Sequence, residues 1–323
     1  MTSPSDEIMR VAQDVDRLCG NIGYVIQGKP EVIRHAVICL LAEGHLLLED
    51  VPGTGKTSLA RALASSLSIT WNRIQFTPDL LPSDISGVSI YNQSTNEFEF
   101  KPGPVFANVV LGDEINRASP KTQSALLEVM EEGTLSTDAH VYPMPKPFMV
   151  VATQNPIDME GTYILPEAQL DRFLMKLTVG YPSAEAEAAI LRTQKMGATV
   201  THLAPVLSAH DVLGMIETVK RVEVAAPLED YIVAISAATR SLSELRLGVS
   251  PRGSLALLRA ARAAAACAGR PFVIPEDVKE MAPVVLAHRV ILQPDAELQG
   301  RTGAELITRA MQSVPVPHAL AAR

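Results

Sequence analysis

The chain has 323 residues, 47% of them hydrophobic and 20% charged, with a formal net charge of −8. That is long for one compact core and comfortable for two domains, with the composition of an ordinary globular protein. The negative balance argues against a broad nucleic-acid-binding surface, while a local basic groove stays open.

The opening "MTSPSDEIMR" is polar and acidic, unlike the basic-then-apolar pattern of a secretory leader, so a cytoplasmic location is expected. Apolar runs such as "AVICLLA" from Ala36 fall short of the roughly 20 residues that a membrane span requires. Cys19, Cys39 and Cys267 are odd in number and sit in apolar stretches, which reads as buried free thiols in a reducing compartment. The histidines form no ligand spacing, so no zinc site is expected.

In chain order, Ile8, Val11, Val15 and Leu18 recur at helical spacing and predict a helix over residues 6 to 20. From about 45 to 180, short apolar strands alternate with helices: "HLLLE" (45–49), "RIQF" (73–76), "NVVLGDE" (108–114), "FMVVATQ" (148–154) and "FLMKLTV" (173–179). Such alternation predicts a parallel sheet covered on both faces. Residues 86–103 and 133–145 break the pattern and read as β-hairpins, either edge pieces of a sheet or loops that touch a substrate or partner. After "GYPSAEAE" (180–187) the strand signal ends. The expected division is an α/β domain over 1–183 and an all-helical lid over 184–323, with Ser250-Pro251 opening one lid helix and Gly269 closing it.

The stretch "LLLEDVPGTGKTSLARALA" carries the first chemistry. A strand that passes through Gly53 and Gly55 into a helix turns backbone N–H groups toward one point, and the helix dipole aims at the same point. Lys56 can then reach β- and γ-phosphate oxygens, and the Thr57 hydroxyl can bind Mg²⁺. The strict P-loop pattern has Gly at position 50, where this chain has Asp50, whose carboxylate is expected to point outward, away from a triphosphate. "NVVLGDEINRA" ends a buried strand in two acids: Asp113, suited to hold Mg²⁺ through water, and Glu114, suited to deprotonate the attacking water. Asn155 ends "VVATQNP" as a neutral donor able to sense the γ-phosphate. Arg172, in "LPEAQLDRF", precedes the last strand. Arg252, in "SPRGSLALL", lies in a first helical turn, where the dipole disfavours a cation by about 0.3–1 kcal/mol. A guanine-reading Asn-Lys-x-Asp string is absent, which points to ATP.

With these strings the sequence resembles the AAA+ ATPases and, among them, the MoxR family, over nearly the whole chain. The strings that carry it are "LLLEDVPGTGKT", "RIQFTPDLLPSDISG", "GPVFANVVLGDEINRASPKTQSALLEVMEE", "ATQNPIDMEGTYILPEAQLDRF" and "SPRG". The resemblance implies an ATP-binding stretch of Pro52, Gly53, Thr54, Gly55, Lys56, Thr57 and Ser58, with Val25 and Ile26 packing the adenine. It implies Mg²⁺ at Thr57 and Asp113. Glu114 would be the Walker B base, Asn155 sensor 1, Arg172 an arginine finger acting on the neighbouring subunit, and Arg252 sensor 2, sensing a lid rotation coupled to ATP binding at the cleft between the α/β domain and the lid. It further implies a homo-oligomeric ring, usually a hexamer, that remodels protein clients, often with a von Willebrand factor A domain partner. The hairpins would be the helix-2 insertion and the pre-sensor 1 hairpin. Two other readings compete. A nucleic-acid motor would want basic hairpins, whereas Glu97, Glu99 and Asp138 lie in these. A scaffold that only binds nucleotide would not need the Asp113–Glu114 pair.

Overall fold

A computed structural model describes residues 4–50, 53–137, 140–155, 163, 165–188 and 203–317. Its centre is a five-stranded sheet of β1 (Leu46–Glu49), β2 (Trp71–Gln75), β5 (Val109–Asp113), β8 (Met149–Gln154) and β9 (Met175–Leu177). The spatial order is β2-β5-β8-β1-β9 and every pairing is parallel. All strands therefore point their carboxyl ends to one edge of the sheet, the edge at which open α/β sheets bind ligands. The registers β1–β8 (Leu46 opposite Val151) and β1–β9 (Leu46 opposite Met175) fix which residues share that edge.

The inner strands are apolar runs because both faces are covered. Alternation sends Leu46 and Leu48 to one face, where α1 (Pro4–Gly23), α2 (Pro30–Leu41) and α3 (Lys56–Ser66) cover them. Leu47, Val110 and Val150 face the other layer, with Leu126 and Leu127 of α5 (Pro120–Glu132). α1 buries Ile8, Val11, Val15, Leu18 and Ile22, a 3.6-residue stripe. Ser119 caps α5 by accepting the Thr122 N–H at 3.4 Å.

The hairpins form as β3 (Gly87–Asn92) with β4 (Glu97–Pro102), and β6 (Thr134–Thr137) with β7 (His140–Pro143). Asp138 lies outside the described residues. The lid is helical, with one addition to the sequence reading: β10 (Leu245–Leu247) pairs antiparallel with β11 (Ile291–Leu292). These segments are too short to leave a periodic signal. The lid helix Pro251–Cys267 is nearly lined with buried alanines and packs against α1, α2 and the lid helices Ala226–Arg240 and Pro275–Leu286. Small side chains let it lie close to all of them. Gly253 in its first turn is obligatory, since a Cβ there would sit 2.6 Å from the Val249 Cγ1. Ser250 caps the helix by accepting the Gly253 N–H at 3.3 Å. One buried cluster runs from the sheet face through α1 and α2 into this lid.

Candidate nucleotide site and a second, cationic edge

At the carboxyl edge β1 runs into the glycine loop. Gly53 (φ 86°) and Gly55 (φ 93°) are both left-handed, a conformation that glycine adopts without cost. A Cβ at either would meet no atom within 4 Å, so backbone conformation and not crowding inside this chain requires glycine there. Gly55 is the N-cap of α3 and supplies no side-chain cap. The helix thus opens on N–H groups without a capping oxygen, next to open space, which suits an anion. Lys56 is buried, and its Nζ donates to the Asp50 carbonyl at 2.5 Å. Thr57 and Ser58 follow in the first turn, while Pro52 lies outside the described residues.

Asp50 turns from the loop as expected, but into the protein and not into solvent. Its carboxylate does not face solvent but is buried and accepts the Gly180 N–H from the turn after β9. Gly180 is left-handed (φ 69°), and Lys29 donates to the neighbouring Tyr181 carbonyl at 2.8 Å. The carboxylate has found a backbone donor, which removes the need for hydration and turns it from the loop. Val25 and Ile26 lie in the turn after α1, whose Gly28 comes so close to Ala186 that a Cβ would sit 2.7 Å from that residue's Cβ.

Asp113 and Glu114 close β5 at the same edge. One buried hydroxyl organises both: Thr153 Oγ1 donates to Asp113 Oδ1 at 2.6 Å and accepts the Glu114 N–H at 2.9 Å. Glu114 has left-handed backbone angles (φ 56°, ψ 51°), a strain of about 1–3 kcal/mol for a non-glycine residue. Its carboxylate takes a hydrogen bond from Gln75 Nε2 at 3.2 Å and an ion pair with Arg117 at 3.0 Å. Asp113 Oδ2 meets the Arg73 guanidinium, at 3.1 Å from Nε and 2.6 Å from Nη2. Asn155 follows β8 and is buried, with its carbonyl taking the Asn116 amide at 3.3 Å. Lys56, Asp113, Glu114 and Asn155 therefore share one edge. Sequence reading missed Arg73, Gln75, Arg117 and Thr153. A signal existed for two of them: Arg73 and Gln75 are the polar alternates of Ile74 and Phe76, so β2 presents both to one face.

The arginines are elsewhere. Leu174 N–H bonds to the His45 carbonyl at 2.8 Å, which sets the loop before β9 at the amino edge of the sheet. Arg172 on that loop donates to the Leu127 carbonyl at 2.6 Å and pairs with Glu131 at 2.9 Å. Arg252 pairs with the other oxygen of the same carboxylate. The start of the Arg252 helix is at Glu131, with Arg172, and not with Lys56. The Glu131 charge also offsets the dipole mismatch of a cation in a first turn. Around these arginines lies a cavity of about 420 Å³ lined by Glu43, His45, Glu131, Arg172, Arg252 and Arg259. His45 is buried, donating through Nε2 to the Met130 carbonyl and accepting the Val150 N–H at Nδ1, each at 3.0 Å. Burial pushes its pKa from 6.5 to about 4.

Comparisons with known proteins agree with this architecture. Residues 45–175 match the ATPase family associated with various cellular activities (AAA), and residues 237–310 match the AAA lid domain. The Chaperone MoxR1 of Mycobacterium tuberculosis is 44% identical, over 94% of this chain and 82% of that protein. The chain is a MoxR-family AAA+ ATPase. The Protein MoxR of Paracoccus denitrificans is 35% identical over 91% of this chain and 94% of its own length. The YeaC protein of Bacillus subtilis is 49% identical over 96% of this chain and 98% of that protein. A solved structure from Cytophaga hutchinsonii, of a candidate ATPase, superposes with a TM-score of 0.90 at 38% identity over 97% of each chain. As a member of this family the chain binds nucleotide and hydrolyses ATP. No helix among the described residues is long and apolar enough to cross a membrane.

Proposed function

We propose that this MoxR-family ATPase works as a homo-oligomeric ring, a hexamer by family resemblance, in which each ATP site is completed by its neighbour and hydrolysis drives remodelling of a protein client. The observation that carries this reading is the division of the machinery between opposite edges of one parallel sheet. Lys56, Asp113, Glu114 and Asn155 lie at the carboxyl edge, and Arg172 and Arg252 share Glu131 at the amino edge. A subunit so built presents Arg172 and Arg252 at the edge away from its own phosphate cradle, where they can serve a neighbour.

In this reading Gly53, Thr54, Gly55, Lys56, Thr57 and Ser58 bind the triphosphate, with Pro52 before them. Thr57 and Asp113 would hold Mg²⁺, which when bound would neutralise phosphate charge. Glu114 takes the proton of the attacking water, and Asn155 orients that water. Releasing Glu114 from Gln75 and Arg117 frees its carboxylate for that proton. Val25 and Ile26 pack the adenine beside the 180–186 turn. Arg172 and Arg252 both approach the phosphates of the adjacent subunit, so Arg252 acts across the interface and not on its own chain's nucleotide.

Two observations favour a protein client. A relative at 44% identity is named a chaperone, and the β3–β4 hairpin exposes Val88, Ile90, Tyr91 and Phe98 and also carries Glu97 and Glu99. A von Willebrand factor A domain protein is the partner implied by the family. The test is specific ATPase activity against protein concentration, with mass followed by light scattering. Activity should rise steeply where the ring assembles. Full turnover by a strictly monomeric preparation would refute the reading, and retention of low-salt nucleic acid on a filter would favour a nucleic-acid client instead.

A further inference from the structure

The loop Asp171–Leu174, which carries Arg172, is bound more closely by the lid than by the sheet. Arg289 of the lid has a side chain only 3% exposed, and four of its hydrogen bonds converge on this loop. Nε donates to Asp171 Oδ1 at 2.7 Å. Nη2 donates to the Phe173 carbonyl at 2.7 Å and the Asp171 carbonyl at 3.3 Å, and Nη1 to the Leu174 carbonyl at 3.2 Å and to the Val285 carbonyl in the preceding lid helix. The other Asp171 oxygen accepts from Ser250 Oγ at 3.5 Å, and Ser250 is the cap of the helix that bears Arg252. The loop offers its carbonyls because it precedes the strand and has no ladder partner. A planar guanidinium with fixed donor directions can satisfy several at once, where a lysine ammonium cannot. A buried charge used in this way is tolerated only while it stays paired.

We propose that Arg289 and Asp171 are positioning residues that make the placement of Arg172 depend on the lid. Neither lies at the chain's own phosphate cradle, which is at the opposite edge of the sheet. They fix the backbone from which Arg172 projects, beside Ser250, the cap of the helix whose Arg252 shares Glu131 with Arg172. Movement of one subunit's lid therefore moves the pair of cations that the subunit offers to the next. This rests on the neighbour-completed site proposed above.

Asp171→Asn and Arg289→Lys test it in the full-length protein, with Asp171→Asn as the milder change. Each should lower kcat by about tenfold to a hundredfold, the range a displaced catalytic group produces. The KM for ATP should stay within about twofold, since the chain's own phosphate cradle is untouched. The defect should also be repaired from outside. Mixed with Glu114→Gln subunits, which bind ATP without hydrolysing it but keep an intact Arg172 loop, each variant should regain activity above the sum of the separate preparations. A subunit damaged in its own fold or its own site would not be rescued. Arg172→Ala mixed with Glu114→Gln is the control. If the control is rescued and the Asp171 and Arg289 variants are not, or if both variants keep the wild-type kcat, the inference is wrong. If the control is not rescued either, it is the neighbour-completed site that fails.

Discussion

Replacing Arg172 by Ala separates a remote structural charge from a group that acts across an interface. The four residues of β1, at about 3.3 Å each, span about 13 Å between the amino edge, where Arg172 sits, and the start of the glycine loop. Across that distance, in water-like surroundings, two unit charges interact by about 0.3 kcal/mol, a rate effect of less than twofold. A guanidinium that contacts the transferring phosphoryl group is worth about 10³–10⁵ in rate, or about 4–7 kcal/mol. The two cases differ so far that a steady-state assay decides between them. Arg172→Ala should lose activity by several orders of magnitude while its ATP affinity, measured with a fluorescent analogue, is unchanged. The substitution also leaves the Glu131 charge with Arg252 alone and frees the Leu127 carbonyl, a stability cost of about 1–3 kcal/mol that a denaturant titration will read. A folded Arg172→Ala protein whose kcat falls by twofold or less would refute the neighbour-completed site.

The remaining predictions concern the carboxyl edge and the buried histidine. Arg73→Gln removes the half-exposed cation that occupies Asp113, so the Mg²⁺ concentration for half-maximal ATPase should fall about 1.5–5-fold, matching the roughly 0.2–1 kcal/mol of such a pair. An unchanged or higher requirement would show that Arg73 does not compete with metal there. Asp50→Ala strips the half-buried Gly180 N–H of its acceptor and should cost about 1–3 kcal/mol in unfolding free energy, with Asp50→Asn costing less; equal stability of all three proteins would mean that the contact contributes nothing. His45 is held neutral, its pKa lowered from 6.5 to about 4, so the unfolded chain binds the extra proton between those values. Its contribution, about 3 kcal/mol, is fully present above pH 6.5 and is lost as pH falls toward 4. His45→Gln should show a shallower loss of stability between pH 7 and 4.5, and identical slopes would rule His45 out as the cause.

What could be read from the sequence was what depends on near neighbours in the chain. The run Leu46–Leu48, the glycines at 53 and 55 and the helix after them fix a strand, a turn and a dipole within about 20 positions. The same holds for Asp113-Glu114 at the end of an apolar strand, and for the two hairpins, whose apolar alternation is local. These features are legible because backbone conformation and side-chain period are decided by adjacent residues.

The partners of those residues were not legible. Thr153 ties the two acids together only because β5 and β8 are paired in one register, and Arg73 reaches Asp113 only because β2 lies beside β5. Asp50 reads as a misplaced charge until the turn at Gly180 is laid against it. Glu131, which gathers both arginines, is 121 positions from Arg252. That contact exists because a parallel sheet has two different edges and the lid packs toward the amino one. The amino-acid sequence by itself determined the strand, glycine loop and helix and the acidic pair that ends β5. Only the tertiary structure decided that the arginines stand at the opposite edge, because no local rule links a helix start in the lid to the end of α5.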